Sequence, residues 1–584
     1  MAGPLSPLSR TIAAYGMQVP GLLPAGVPSC IKQIMTMTKA TLTRAPEVCY
    51  RLKPGRFHAV ARAHLAILIA FVGLGAEADA AYAREPVLTE TAASLELQPE
   101  SRTPAPDKPA LVLAPGIESP QRYYGDIPSS WLAAQNDRAP ATAATPQRDW
   151  STEMQTRRSY AIPAAEILGF QFLLNRFDKA FVGPEYDVSV SSIRRNLRSK
   201  WVVDNDPYQV NQLGHPYAGS MYHGFARSAG LNYWESLGYT FAGSLVWEIA
   251  GETTKPSKND QITTGIGGSF LGEALFRMAN LVLEQGGGLS PAWREIAAAV
   301  ISPPTGFNRL AFGNRFDAIY SSNNAAYYSR LAVGVSGTTQ NAAGTSTTVR
   351  RTEGLVDFSL DYGLPGKPGY TYRRPFDYFV FQATASTANG FENLMTRGLL
   401  VGKDYDAGAN YRGVWGLYGG FDYLAPQLFR VSSTSLSLGT TGEWRPSRAF
   451  ALQGTVTAGF GYAGVATING TRDNDYHYGI APQALLALRA IFGDRASLDL
   501  TAREYFVSRV ASDSFGQGGH DNIVRGDASF TVRVHKQHAV AVKYLWNRRD
   551  ANYPMLGDRT QTRATLGIFY TLLGHDRFGS VDWR

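Results

Sequence analysis

Along the C-terminal half of the chain, apolar and polar residues take turns. Leu498, Leu500 and Ala502 alternate with Asp499, Thr501 and Arg503, and Phe530, Val532 and Val534 with Ser529, Thr531 and Arg533. Leu566, Ile568 and Tyr570 face away from Arg563, Thr565 and Thr571, and Phe450, Leu452, Val456 and Phe460 face away from Gln453, Thr455 and Thr457. A period of two means strands with one apolar and one wet face. Further strands fall at Val356–Tyr362, Phe379–Ala385, Phe391–Lys403, Arg412–Tyr423 and Phe429–Trp444. The connections sort by side. Arg445–Arg448, Gly493–Arg495 and His535–His538 are tight, whereas Thr467–Tyr478, Arg509–Ile523 and Asn547–Thr560 are long and polar. Short turns at one rim and long loops at the other predict a transmembrane antiparallel β-barrel of about 12 strands, within a range of 12–14, in a bacterial outer membrane. The last strand is placed at Gln561–Leu573, with a second placement nearer Trp583 left open by the tail Gly574–Arg584.

Ahead of the barrel the period lengthens to that of a helix. Pro216 suits a first helical turn, and helices are expected over Tyr217–Ala229, Asn232–Gly251, Thr264–Glu284 and Pro291–Val300. They carry Gly219, Gly224, Gly238, Gly243, Gly267, Gly268 and Gly272. Each glycine costs a helix about 1 kcal/mol relative to alanine, so close packing of helices on one another or on a barrel wall is expected. Short strands are expected at Phe177–Val182 and Trp201–Asp204. This small α-helical domain precedes or plugs the barrel. The expected division is a leader and signal peptide over 1–80, a disordered periplasmic linker over 81–158, a helical domain with flanking strands over 159–310 and the barrel over 311–584.

Composition narrows the class. The net charge of +8 comes from Lys and Arg scattered along strand faces and loops, without the clustered stripe that nucleic-acid binding requires, so no nucleic-acid partner is expected. Arg51, Lys53, Arg56 and Arg62 precede the apolar run Leu65–Leu74 and the small-residue site Ala78-Asp79-Ala80, a secretory signal. Met35 and Met37 are plausible starts. Cys30 and Cys49 both lie before that cleavage site, which leaves the mature chain without disulfide or thiolate chemistry. The Pro- and Ala-rich stretch after the signal reads as the linker.

The candidate chemistry lies in the helices. Asn211-Gln212-Leu213-Gly214-His215-Pro216-Tyr217 continues through Tyr222 and Arg227 to Trp247-Glu248, Glu252, Asn259-Asp260, Gly272-Glu273 and Arg277. Glu248 and Glu252 are four apart, hence on one helix face, and so are Glu273 and Arg277, which could pair. Leu245, Val246, Trp247, Ile249 and Ala250 surround Glu248 with apolar company, which raises a carboxyl pKa toward acid/base use. Two carboxylates with His215 and Asp260 could also hold a hard divalent cation or zinc. A buried polar network that fixes helix docking explains the same residues. His223 stands apart and reads as a surface or interface histidine.

The spaced set N-Q-x-x-H-P-Y-x-G-x-x-Y, G-S-x-x-W-E, N-D-x-x-T-T and G-E-x-x-x-R over Asn211–Arg277, with Pro303-Pro304-Thr305-Gly306-Phe307-Asn308-Arg309-Leu310 after it, resembles an uncharacterised bacterial envelope family known as a domain of unknown function. Its members pair such a helical region with a C-terminal barrel. The resemblance implies an outer-membrane location and brings no activity or catalytic residue.

Two main functions follow, beside a third as an assembly or export factor whose linker, Ala81–Arg158, recruits periplasmic partners. One is a structural, channel-like or binding barrel whose lumen, lined by Arg503, Arg533 and Lys543, favours anionic solutes. The other is an outer-membrane enzyme modifying lipid, lipopolysaccharide or glycan. There Glu248 acts as acid/base, His215 as partner or ligand, Glu252 and Asp260 as orienters and Arg227 as anion holder, with Asn211, Tyr222, Glu273 and Arg277 as further binding residues. Tyr222, with Tyr217 and Trp247, also reads as a packing residue. No H-E-x-x-H, P-loop or G-x-S-x-G motif occurs, and no cofactor is expected. The expected partners are outer-membrane lipid, lipopolysaccharide and, during biogenesis, the barrel-assembly machinery.

Overall fold

The computed structural model describes residues 157–581 apart from 205, 287, 342–347, 389, 427, 467–475, 510–518, 554–556 and 575–576. The leader, the signal and nearly all of the linker lie outside the described residues. Helices come first: α1 (Ala161–Phe181), α2 (Val190–Asn196), α3 (His215–Ser228), α4 (Tyr233–Ala250), α5 (Lys258–Ile262), α6 (Gly268–Gln285), α7 (Pro291–Ile301) and α8 (Pro303–Phe312). Twelve strands follow: β1 (Tyr327–Asn341), β2 (Thr348–Tyr362), β3 (Phe379–Ser386), β4 (Asn393–Asp406), β5 (Tyr411–Leu424), β6 (Val431–Ser447), β7 (Phe450–Ala466), β8 (Tyr476–Phe492), β9 (Ala496–Arg509), β10 (His520–His535), β11 (His538–Tyr553) and β12 (Gly557–Leu573).

Each strand pairs antiparallel with its sequence neighbours, and β1 pairs with β12, for example Val335 opposite Ile568, to close the barrel. Closure leaves no unpaired edge. β6–β7, β8–β9 and β10–β11 turn tightly at one rim, while β7–β8 and β9–β10 connect through longer segments at the other. The expected long connection at Asn547–Thr560 is instead mostly strand, because β11 and β12 are joined by residues 554–556 alone. The last strand ends at Leu573.

The alternation reads out in the side chains. Inward residues pair across the lumen: Arg330 with Asp499 (3.0 Å), Arg489 with Asp361 (2.7 Å), Arg503 with Asp422 (3.3 Å), Lys543 with Asp357 (2.6 Å) and Arg563 with Glu353 (2.9 Å). Outward residues include the exposed Trp415, Leu436, Leu438, Phe460, Ile480, Leu486, Ile568 and Tyr570. An apolar exterior over a charged, hydrogen-bonded interior is the inverse of a soluble protein and suits a lipid-facing wall.

The helices neither plug the lumen nor sit beneath it. Their partners on the barrel are Gly419 and Phe421 on β5, Ser432 and Thr434 on β6, Gly464 on β7 and Tyr478 on β8. Along uninterrupted register these share the face of the exposed Trp415, Leu436, Phe460 and Ile480, and lie opposite the lumenal Asp422. Successive strand residues point to opposite faces, so the helical domain packs on the outside of the wall.

Sequence chemistry explains the helices themselves. Asn232 and Glu235 cap α4 reciprocally, and Gly286 ends α6 with a φ of +40° that favours glycine. α3 and α6 cross at glycines. A Cβ on Gly219 would lie 2.1 Å from the Thr264 carbonyl oxygen, and one on Gly268 would lie 2.6 Å from Gly219 Cα. The expected strands at Phe177–Val182 and Trp201–Asp204 do not form. The first lies in the end of α1, and the second makes only an isolated bridge from Val202 to Ser257.

Candidate functional site

The candidate residues separate into two buried clusters. The first forms where two π-helical turns, Val210–Gly214 and Thr263–Gly267, lead into α3 and α6. Such turns are rare and frequent at functional sites. Asn211 sits in the first turn, and His215 opens α3 directly after it. His215 Nδ1 lies 3.2 Å from Thr264 Oγ1 of the second turn, and its Nε2 lies 3.9 Å from Asp260 Oδ1. Glu248 comes from the last turn of α4. Its Oε2 accepts from the backbone N–H of Ser257 at 2.7 Å. Ser257 also caps α5 and thereby fixes Asp260 in its first turn. His215, Glu248 and Asp260 each offer a ligand atom, all within 4.8 Å of one another.

A polar layer ties this cluster to the wall. Asn211 Nδ2 donates to Asp204 Oδ1 (2.6 Å) and Tyr476 Oη (2.8 Å), and Asn259 Nδ2 donates to Asp204 Oδ1 (2.6 Å) and to Tyr478 Oη (2.8 Å). Gln212 bridges Tyr478 and Ser432. Glu252 belongs to the cluster's charge but not to the expected helix face, because α4 ends at Ala250 and Gly251 caps it. Burial, with Asp260 and then Glu252 nearby, pushes the Glu248 carboxyl up to about 10. Burial first and neighbouring carboxylates second raise Asp204, Asp206, Glu252 and Asp260 as well. Burial keeps His215 below its usual value despite those acids.

The second cluster is electrically balanced. Glu273 accepts from Arg227 Nε (2.7 Å), Arg277 Nε (2.9 Å) and His223 Nε2 (3.1 Å). Burial alone would raise its pKa, but Arg227, His223 and Arg277 together hold it well below the carboxylate range. Arg277 continues to Asp377 (3.1 Å), just before β3, so this pairing also fastens α6 to the barrel. The expected Glu273–Arg277 pair is thus present within a larger network. His223 is not at a surface: it is fully buried on Glu273. Arg227 is occupied by Glu273 and by the Leu231 carbonyl oxygen (2.5 Å). Tyr222 joins neither cluster and packs on Phe170 and Gly243.

The sequence reading missed Asp204, Asp206, Tyr476 and Tyr478 of the first cluster and Asp377 of the second, and misplaced His223 at a surface. His223 and Arg227 are four apart on α3, a spacing that signals a shared face. Asp204 and Asp206 lie a few residues before Asn211 without a spacing signal of their own, whereas Tyr476, Tyr478 and Asp377 are remote in sequence.

Closed barrel, apolar exterior and charge-paired lumen define an outer-membrane β-barrel protein carrying a wall-mounted helical domain. Residues 200–304 match the family described as Domain of unknown function (DUF3943). No curated protein matches the chain. Among solved structures it is similar to the NanC porin, at 6% identity and a TM-score of 0.23 over 41% of this chain and 98% of that one. It is also similar to an anion-selective porin from Comamonas acidovorans, at 9% identity and a TM-score of 0.20 over 43% of this chain and 100% of that one. The class rests on the architecture of this chain and not on those scores.

Proposed function

We propose that this is a sealed outer-membrane barrel that serves as a structural and binding protein, holding its helical domain against the wall beside the lipid, rather than as an open pore. The observation that carries the reading is the set of ion pairs spanning the lumen. Arg503 and Lys543, expected to attract anions, each rest on a carboxylate. Two spaces of about 140 and 70 Å³ lie among these lumenal side chains. At the long-loop end Leu428 packs with Met395, Tyr505, Val507 and Ile523, and Arg563 Nη1 donates to the Pro426 carbonyl oxygen at 2.6 Å. At the other end the tail folds back: Phe578 is buried, Gln453 donates to the Gly579 carbonyl oxygen (2.8 Å), and Arg445 binds Ser580. An enzyme acting on lipid, lipopolysaccharide or glycan through Glu248 would need that group accessible, and Glu248 is fully buried.

Lipid is the partner that the outer face of the helices suits. α1 is inside-out: it buries Gln171, Asn175 and Asp178 and exposes Leu168, Phe172 (63%), Leu173 (67%), Phe177 and Phe181. Trp293, Ile296, Phe307 and Leu310 on α7 and α8 are exposed as well. A patch of this kind on a domain already fixed to a lipid-facing wall is a membrane contact. Among the described residues no helix is long and apolar enough to cross a membrane, so the helices lie in the leaflet without spanning it. Residues 81–158 serve as a periplasmic linker in this reading, and the barrel-assembly machinery inserts the strands. Purified protein in planar bilayers is expected to be electrically silent at moderate voltage. A steady open-state conductance carried by the wild-type chain would overturn the reading.

A further inference from the structure

Going beyond the barrel's role, we propose that His215, Glu248 and Asp260 bind one divalent transition-metal cation of the zinc class. Their ligand atoms lie within 4.8 Å of one another. Tetrahedral metal–ligand bonds of roughly 2.0–2.2 Å place ligand atoms about 3.3–3.6 Å apart, so a contraction of about 1 Å brings the three onto one ion and leaves a fourth position open. Two carboxylate oxygens are buried with nothing to accept from: Glu248 Oε1 and Asp260 Oδ2 have no hydrogen-bond partner among the described residues. Both side chains are fully buried, and a buried anionic oxygen without a partner is costly.

The charge balance points the same way. Asp204, Asp206, Glu248, Glu252 and Asp260 gather around one imidazole, and none of them has an Arg or Lys within ion-pair distance among the described residues. Glu273, only one helix away, is given two arginines. The first cluster can therefore be neutralised only by protons or by a cation from outside. The surroundings orient the ligands as metal sites do. Thr264 engages the His215 nitrogen that faces away from Asp260, and the Ser257 N–H fixes the second oxygen of Glu248. An imidazole with carboxylates selects zinc-like cations over calcium or magnesium, which prefer all-oxygen cages. His215, 11% exposed at its side chain, marks the way in.

The test uses the full chain in detergent, stripped with chelator, titrated with Zn²⁺ by calorimetry and with Co²⁺ by visible absorption. One Zn²⁺ per chain is expected, with a Co²⁺ spectrum of mixed nitrogen and oxygen ligation. Asp260→Asn and Glu248→Gln should each weaken Zn²⁺ by about 100-fold and Thr264→Val by about tenfold, the range that ligand-shell changes produce. Heat-modifiable gel mobility checks that each variant is folded. Absence of saturable Zn²⁺ binding to wild type, equal affinity in folded Asp260→Asn, or Co²⁺ bound without nitrogen ligation would each overturn the proposal. If the variants do not fold, the wild-type titration and spectrum still decide. Failure here leaves bilayer silence untouched, so the two readings stand or fall separately.

Discussion

His215 Nδ1 and Thr264 Oγ1, 3.2 Å apart, join the two π-helical turns that lead into α3 and α6. The approach depends on the glycine crossing beside it, where the Thr264 carbonyl oxygen occupies the space that a Cβ on Gly219 would need. The obstacle is backbone, not a flexible side-chain end, so it cannot step aside. Gly219→Ala is therefore expected to destabilise the helical domain by about 1–3 kcal/mol, the usual cost of overpacking. Limited proteolysis should show earlier cleavage within residues 161–315, while the gel mobility of the folded barrel stays unchanged.

Glu273 makes the helical domain acid-sensitive. Arg227, His223 and Arg277 depress its folded-state pKa against the effect of burial. A depressed carboxyl stabilises the fold above its unfolded pKa, and that contribution is lost as pH falls from there toward the folded value. The loss should therefore begin below about pH 4, the ordinary carboxyl value. Near neutral pH, Glu273→Gln removes the carboxylate that Arg227 shares with Arg277 and leaves Arg277 on Asp377, expected to cost about 3–5 kcal/mol. Thermal melts of the wild type should fall steeply with acidification, and those of the variant should fall less. Parallel slopes would show that another group controls the transition.

Legibility followed the physics of each face. Strands were readable because each sets one side against lipid and the other against a wet lumen, which imprints a period of two on segments such as Leu498–Arg503. The hairpin around residues 547–560 escaped because Arg548 pairs with Asp550 along β11, and Asn552 and Asp550 pair with Asp558 and Thr560 across to β12, so no apolar side is left to count. α1 escaped because both its faces are mixed: Ile167 is buried beside Gln171, Asn175 and Asp178, while Leu168, Phe172 and Leu173 are exposed beside Arg176 and Lys179, which blurs the amphipathic signal. His215, Glu248 and Asp260, named together among the candidate residues, lie on α3, α4 and α5, and the fold brings their ligand atoms within 4.8 Å of one another. Tyr476 and Tyr478 were invisible as partners of Asn211 and Asn259, since more than two hundred residues separate them.

The lumenal network gives a second, independent stability readout. Asp422 accepts from Tyr505 Oη (2.7 Å) and Arg503 (3.3 Å) and lies 3.6 Å from Arg397. Asp422→Ala leaves two buried guanidinium groups without it, an expected cost of about 3–5 kcal/mol. The temperature at which heat-modifiable mobility is lost should drop, whereas Zn²⁺ titration should be unchanged. The site lies on the other face of the wall and shares no contact with Asp422. A coupled loss of both would mean that the wall transmits strain between its faces.

The outward apolar residues of α1 separate a membrane-embedded domain from one that stands in water. Phe172 is largely exposed, and its neighbours Leu168 and Leu173 are exposed beside it. The contact on its ring is the Arg176 guanidinium, 5.6 Å from the centroid, which an indole also accommodates, so Phe172→Trp should be neutral to stability within about 0.5 kcal/mol. In nanodiscs that carry brominated acyl chains, the added indole is expected to be strongly quenched and its emission shifted to the blue. Emission characteristic of water, quenched by iodide but not by brominated lipid, would place α1 in solvent. The sealed barrel would then stand without lipid as the partner of its helical domain.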